Sequence, residues 1–182
     1  MQSPESSEST STHLNPYNSA DVSSILKEKH WLSAEPTAEQ IAWCDRAAAL
    51  LGSHAQDRAA LADLLGLIFH YDAHEILGKV ESHAVISRRA AREVLRSLAL
   101  SLLEAAPLTS ERFSEIITKI KDEMEMRGRD LFHPLRLALA GRAGEGELDR
   151  VILLLDEAAA LPFAAPVKPA HARILEFCAA LD

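Results

Sequence analysis

The chain has 182 residues, of which 48% are apolar, a formal net charge of −8 and only two cysteines. That is enough apolar surface for one sizeable core or two small ones without covalent staples. The acidic balance excludes a protein that coats nucleic acid indiscriminately, because non-specific affinity comes from many Lys and Arg side chains neutralising phosphates. Cys44 and Cys178 form neither a paired framework nor a Cys-x-x-Cys ligand set, so both read as inert thiols in a reducing, cytoplasmic setting. No apolar run approaches the ~20 residues of a membrane span, and the N-terminus lacks the basic-then-apolar order of a signal peptide, so no membrane contact is expected.

Residues 1–24 are rich in Ser, Thr, Glu, Asn and Pro and read as a disordered tail that buries too little surface to offset its ordering entropy. Pro36 at a first turn, the apolar series Ile41, Ala42, Trp43, Ala48, Ala49 and Leu51, and Gly52 past the end predict the first full helix. Asp57 caps a second, with Leu61, Leu64, Leu65, Ile68 and Phe69 at helical spacing. A shorter element runs from Asp72 to Leu77 before Gly78. Ser87 reads as the cap of a long helix whose Ala90, Val94, Leu95, Leu98, Leu102 and Leu103 form one face, ended by Pro107. Thr109 to Arg112 opens another, with Phe113, Ile116, Ile117, Ile120 and Met124 inward and Gly128 as terminator. Three more are expected at about 131–140, 147–160 and 168–180.

Ala and Leu dominate and no stretch alternates β-branched residues, so the fold class is all-α, with seven or eight helices. The expected organisation is the tail 1–24, a helical subdomain 25–106 and a second helical subdomain 107–182. No solenoid period is present.

The stretch from Arg127 to Arg142 gathers arginines around one apolar helical run. Guanidinium forks suit phosphate oxygens and base edges. Read as packing alone, Pro134 starts a helix, Leu131, Leu135, Leu137 and Leu139 pack, and the arginines are solvated or paired with Asp130 and Glu145. Arg136 and Arg142 are six apart, so a turn at Gly141 is needed to aim both at one ligand. A second cluster, Arg88, Arg89, Arg92 and Arg96, is spaced to form a helical stripe that either contacts phosphate or is a solvated face.

From Gly128 to Leu148, without gaps, the order of a basic turn, Pro134-Leu135-Arg136, the Ala138-Leu139-Ala140-Gly141 segment and the Glu145-Gly146-Glu147-Leu148 loop resembles the last helical domain of bacterial glutamyl-tRNA synthetase, a class I aminoacyl-tRNA synthetase. The resemblance covers roughly residues 57–182 and is most specific over 113–155. It implies an anticodon-binding helical domain with Arg136 as principal base or backbone contact. Arg129 and Arg142 would flank it, Glu145, Gly146 and Leu148 would shape the pocket, and Arg88 and Arg92 would form a second contact. It also implies tRNA as partner, of the glutamate or glutamine type, and a separate synthetase catalytic subunit. Two positions depart from the family's pattern: Ala140 stands where Thr is usual, and Gly146 where Pro is usual.

The His-x-Gly-His and Lys-Met-Ser-Lys-Ser type signatures of the catalytic half are absent, as are a Gly-x-x-x-x-Gly-Lys loop and a Gly-x-Ser-x-Gly elbow. The expectation is therefore a non-catalytic tRNA-binding module without cofactor or metal, supporting aminoacylation in trans. Two other readings stand beside it. One is a protein-interaction adaptor that kept the fold and lost RNA. The other is a metal-dependent enzyme centred on His70 and His74, which share a helical face but lack an evident third ligand.

Overall fold

Side-chain capping starts half of the helices. The computed structural model of the chain describes residues 15–104 and 106–182. Asn18 and Asp21 form a reciprocal capping box for α1 (Ser19–Glu28), and Thr37 and Gln40 do the same for α2 (Ala38–Leu51). Asp57 caps α3 (Arg58–Phe69) and Asp72 caps α4 (Ala73–Leu77) by accepting backbone N–H bonds. The remaining helices are α5 (Val80–Ile86), α6 (Ala91–Ser101), α7 (Ser110–Met124), α8 (Arg129–Ala140), α9 (Glu147–Ala160) and α10 (Ala170–Leu181). The fold is all-α, with ten α-helices and no strand among the described residues, more helices than the seven or eight expected. No helix among them is long and apolar enough to cross a membrane.

Four boundaries differ from expectation. The tail expected at 1–24 overlaps α1, whose Val22 is fully buried beside Ile25 and Leu26; residues 1–14 lie outside the described residues. Pro36 stands one residue before the Thr37 cap. Ser87 closes α5 instead of opening α6, which begins after Ala90 in a left-handed conformation (φ 63°) and stops at Ser101, leaving Leu103 61% exposed. The stop is held by Arg112, whose Nη2 donates to the carbonyls of Ser101 and Glu104. Finally, α7 ends at Met124 with Glu125 left-handed, and Gly128 is the N-cap of α8.

α8 is buried almost all round, from Leu131 and then from Pro134 through Ala140, as a central helix must be. It packs against α5, α6, α9 and α10. One contiguous set of buried residues runs from Val22 on α1 to Phe177 on α10, and the expected boundary near residue 106 falls in the α6–α7 connection. An aromatic cluster, Trp31 stacked on Phe69 with Trp43 and Phe163 edge-on, closes the end near α2. Trp43 Nε1 donates to the Leu154 carbonyl of α9. Burial pushes the Cys44 thiol up to about 11, so this cysteine is inert.

The centre of the bundle holds a charge. Arg173 is fully buried, and its Nε donates to Lys168 O (2.8 Å), Nη1 to Leu67 O (2.9 Å) and Leu139 O (3.0 Å), and Nη2 to Ile68 O (2.6 Å). Leu67 and Ile68 belong to the last turn of α3 and Leu139 to that of α8, where carbonyls lack intrahelical partners and helix dipoles are negative. The guanidinium lies 4.6 Å from the Tyr71 ring centroid, and the Tyr71 hydroxyl donates to Ala138 O. Burial lowers the guanidinium to about 10, which leaves it charged at neutral pH.

Replacing Arg173 with Met should cost ~3–5 kcal/mol of stability in urea unfolding, because it orphans helix-end carbonyls in the core. Arg173→Lys should recover little of this, since one ammonium cannot span both helix ends. A loss below ~1 kcal/mol for either variant would contradict this role.

Candidate nucleic-acid interface

The N-terminal half of α8, the loop 141–146 and the corner between α5 and α6 carry the arginines singled out by the sequence. Gly141 ends α8 in the left-handed region (φ 81°), which reverses the chain toward α9. Gly144 lies so close to Leu148 that a Cβ there would stand 2.9 Å from Leu148 Cδ1. Leu148 is fully buried and supports the loop from beneath.

Arg136, expected to be the principal contact, turns inward. Its Nε donates to Asp149 Oδ1 and its Nη2 to Asp149 Oδ2, both at 2.9 Å, and its Nη1 donates to Gly144 O at 2.8 Å. Its side chain is 10% exposed, and the guanidinium lies 4.7 Å from the Phe132 ring centroid. Its fork is thus spent on a carboxylate of α9 and a loop carbonyl. Arg136 is the latch that ties the loop to both flanking helices.

The remaining cations, exposed except for the half-buried Arg88, lie around this latch. Arg129 is 76% exposed and stands 3.9 Å from Glu145 Oε1, a solvated pair worth little. Arg88 lies in the α5–α6 corner, before α6 begins, so it does not share a helix with Arg92 as expected. The two nonetheless line one cavity with His83, Ile86, Ser87 and Glu93. Arg142 opens onto a second groove, with Lys79, Glu81, Ser82 and Leu137. Gly146 is the N-cap of α9 at φ −62°, exposed, with open space where a Cβ would be.

His133 was not singled out from the sequence, yet it joins the two basic clusters. Arg88 Nη1 lies 2.9 Å from His133 Nδ1. Arg donates only, so Nδ1 accepts, and the ring is neutral with its proton on Nε2. Burial holds this imidazole below its ordinary value, and the charges of Arg88, Arg129 and Arg136 add to that, opposed by Glu145. The signal was present in the sequence: Arg129, His133 and Arg136 stand at i, i+4 and i+7 on α8. Lys79 had no such signal.

The histidines considered for a metal are otherwise engaged or isolated. His70 Nε2 is 2.7 Å from Glu75 Oε2, and among the described residues no three His, Cys, Asp or Glu side chains converge.

The latch makes a thermodynamic prediction. Arg136→Met strands the Asp149 carboxylate and should destabilise the fold by ~2–4 kcal/mol, whereas Arg136→Met with Asp149→Leu should be less unstable than the sum of the single variants by ~1–3 kcal/mol. Strictly additive losses in thermal or urea unfolding would remove the pair as the loop's fastening.

Comparison with known proteins bears on what this arrangement serves. The family model for the anticodon binding domain matches residues 14–161. The glutamate–tRNA ligase of Bacillus subtilis is 27% identical over 136 residues, covering 75% of this chain and 28% of that protein. The glutamate–tRNA ligase of Exiguobacterium sibiricum is 25% identical over 131 residues, 72% of this chain and 27% of its own length. A shorter match, 36% identical over 78 residues, is to glutamate–tRNA ligase 2 of Syntrophus aciditrophicus, covering 42% of this chain and 16% of that one. The chain therefore spans little more than a quarter of the length of the first two relatives. No solved structure matches it. With the family model covering most of the chain, from α1 through α9, this protein belongs to the anticodon-binding domain family.

Proposed function

We propose that this chain is a non-catalytic tRNA-binding module that engages glutamate or glutamine tRNA and supports aminoacylation in trans, beside a separate catalytic chain. The observation that carries the reading is the family match over residues 14–161, and the relatives' names, glutamate–tRNA ligases, support glutamate as the tRNA type. The geometry supports a division of labour within it. Arg88, Arg92, Arg129 and Arg142 are the cations available to the RNA backbone, whereas Arg136, Gly146 and Leu148 hold the loop that carries Glu145 in shape. The chain's charge of −8 leaves this face as a local basic site on a repelling surface, which favours one binding mode over many.

A second reading, an adaptor that binds protein, is favoured by the solvent-exposed Leu100 and Leu103 at the end of α6. Retention of unfractionated cellular tRNA by the purified chain, at low and high salt and followed by sequencing, separates the two. Salt-sensitive enrichment of glutamate or glutamine tRNAs is the expected result. No binding, or equal retention of every tRNA, would give the case to the adaptor.

With few phosphate contacts the salt dependence should be shallow. Four contacts correspond to a slope of about −3 in log K against log salt for a single strand. Arg129→Gln and Arg142→Gln should each reduce that slope by ~1 with unchanged thermal stability. A full slope in both variants would take these residues out of the interface.

A further inference from the structure

We infer that the junction of Arg88 and His133 is a phosphate-binding site in which His133 takes up a proton as an RNA phosphate docks, so that RNA binding tightens on acidification. This rests on the tRNA-binding reading and adds the chemistry of one contact.

The junction joins two elements that the chain brings together from far apart, the α5–α6 corner and α8, through the bond between Arg88 Nη1 and His133 Nδ1. Arg88 is also a wall of the cavity formed with His83, Ile86, Ser87, Arg92 and Glu93. The charges facing His133 are Arg88 from the corner, Arg129 and Arg136 from α8, and Glu145 from the loop; His83 and Arg92, with Glu93 opposing, complete the cavity. Arg136 is already neutralised by Asp149, and Glu145 is exposed and paired only loosely with Arg129. Arg88 has an uncharged imidazole as its acceptor, a weaker partner for a guanidinium than an anionic oxygen.

An oxyanion entering the cavity offers Arg88 a better acceptor. Arg88 then releases Nδ1 and turns its fork to two phosphate oxygens. The vacated Nδ1 takes one proton from solvent, and the imidazolium, which adjoins Arg88 and is not itself a wall of the cavity, adds its charge beside the bound anion. No covalent bond between heavy atoms changes, and the only species consumed is that proton. In the free protein burial first, and the neighbouring arginines second, keep the imidazole below its ordinary 6.5. The bound phosphate raises it. Binding therefore takes up a proton in the interval between the two values, and affinity rises as pH falls through it, by up to about tenfold per unit of the rise.

The test pairs two measurements on the full chain. The first is affinity for unfractionated tRNA at pH 7.5 and 5.5 at one ionic strength, for the wild type and for His133→Gln. The expected result is severalfold tighter binding at pH 5.5 in the wild type and a flattened profile in the variant. The second is the imidazole titration of His133 by NMR in sulfate and in chloride of equal ionic strength. Sulfate is the probe because, as in a phosphodiester, its charge is constant across this range. Sulfate should raise the titration midpoint in the wild type and leave it unmoved in Arg88→Gln. Bound tRNA with a flat wild-type profile, or a profile that survives in His133→Gln, overturns the inference while the tRNA-binding reading stands. Absence of tRNA binding at both pH values removes that reading, and the sulfate titration then decides the phosphate site by itself: a raised midpoint supports it, and an unmoved one overturns it.

Discussion

A fully buried guanidinium organises this bundle. Arg173 has no carboxylate within bonding distance among the described residues; its donors go to main-chain carbonyls at the ends of α3 and α8 and to Lys168 just before α10. Two helix C-termini that converge in an apolar interior would otherwise leave carbonyls desolvated and their dipoles repelling. One planar cation with five donors meets both needs at once, which a hydrophobic side chain of equal volume would not. Tyr71 completes the arrangement from α4's approach, stacking on the guanidinium and donating to Ala138 O. The position of α8 follows from this knot; Arg129 and His133 lie toward the opposite end of α8, whereas Arg142 follows directly on the end that Arg173 holds.

Burial then sorts the arginines into different kinds of work. Arg173 is consumed by the core and Arg136 by the loop, Arg88 meets the imidazole of His133, and Arg92, Arg129 and Arg142 stay exposed to solvent. Coulombic reach alone would not separate them, because all carry the same charge; the separation comes from what else lies within hydrogen-bond distance. Arg136 meets Asp149 in a bidentate fork on a half-buried face, whereas Arg129 meets Glu145 at 3.9 Å with both side chains solvated. The first pair fixes geometry and the second hardly constrains it.

Much of the architecture was legible because its signals are local. Asp57, Asp72 and Thr109 announce their helices through side-chain acceptors three residues from the N–H they satisfy, and α9 carries a full apolar face from Leu148 to Leu155. α5 was missed because it is two turns long, has no side-chain cap and buries only Ser82 and Val85. α1 was missed because a capping box of Asn18 and Asp21 and three buried apolar residues were diluted by a polar stretch before them. The site was legible in part. Helical spacing places Arg129 and Arg136 on one face, but whether an arginine faces water or Asp149 depends on how α9 packs, thirteen residues on, which no local pattern encodes.

The two departures from the family's usual residues act differently once their surroundings are known. Ala140 is 1% exposed inside the bundle, so the hydroxyl of a Thr there would not reach an RNA surface and would need an internal acceptor. Its loss therefore bears on packing and leaves the basic face unchanged. Gly146 has backbone angles of −62° and −19° and open space around a would-be Cβ, a conformation that proline's ring also favours. Glycine here enlarges the unfolded ensemble without being required by the folded loop, a cost of a few tenths to about 1 kcal/mol. The loop keeps its shape regardless, because the Arg136 fork and the buried Leu148 hold it from two sides. The geometry that aims Arg129 and Arg142 outward thus depends on the latch beneath them more than on the residue at the helix cap.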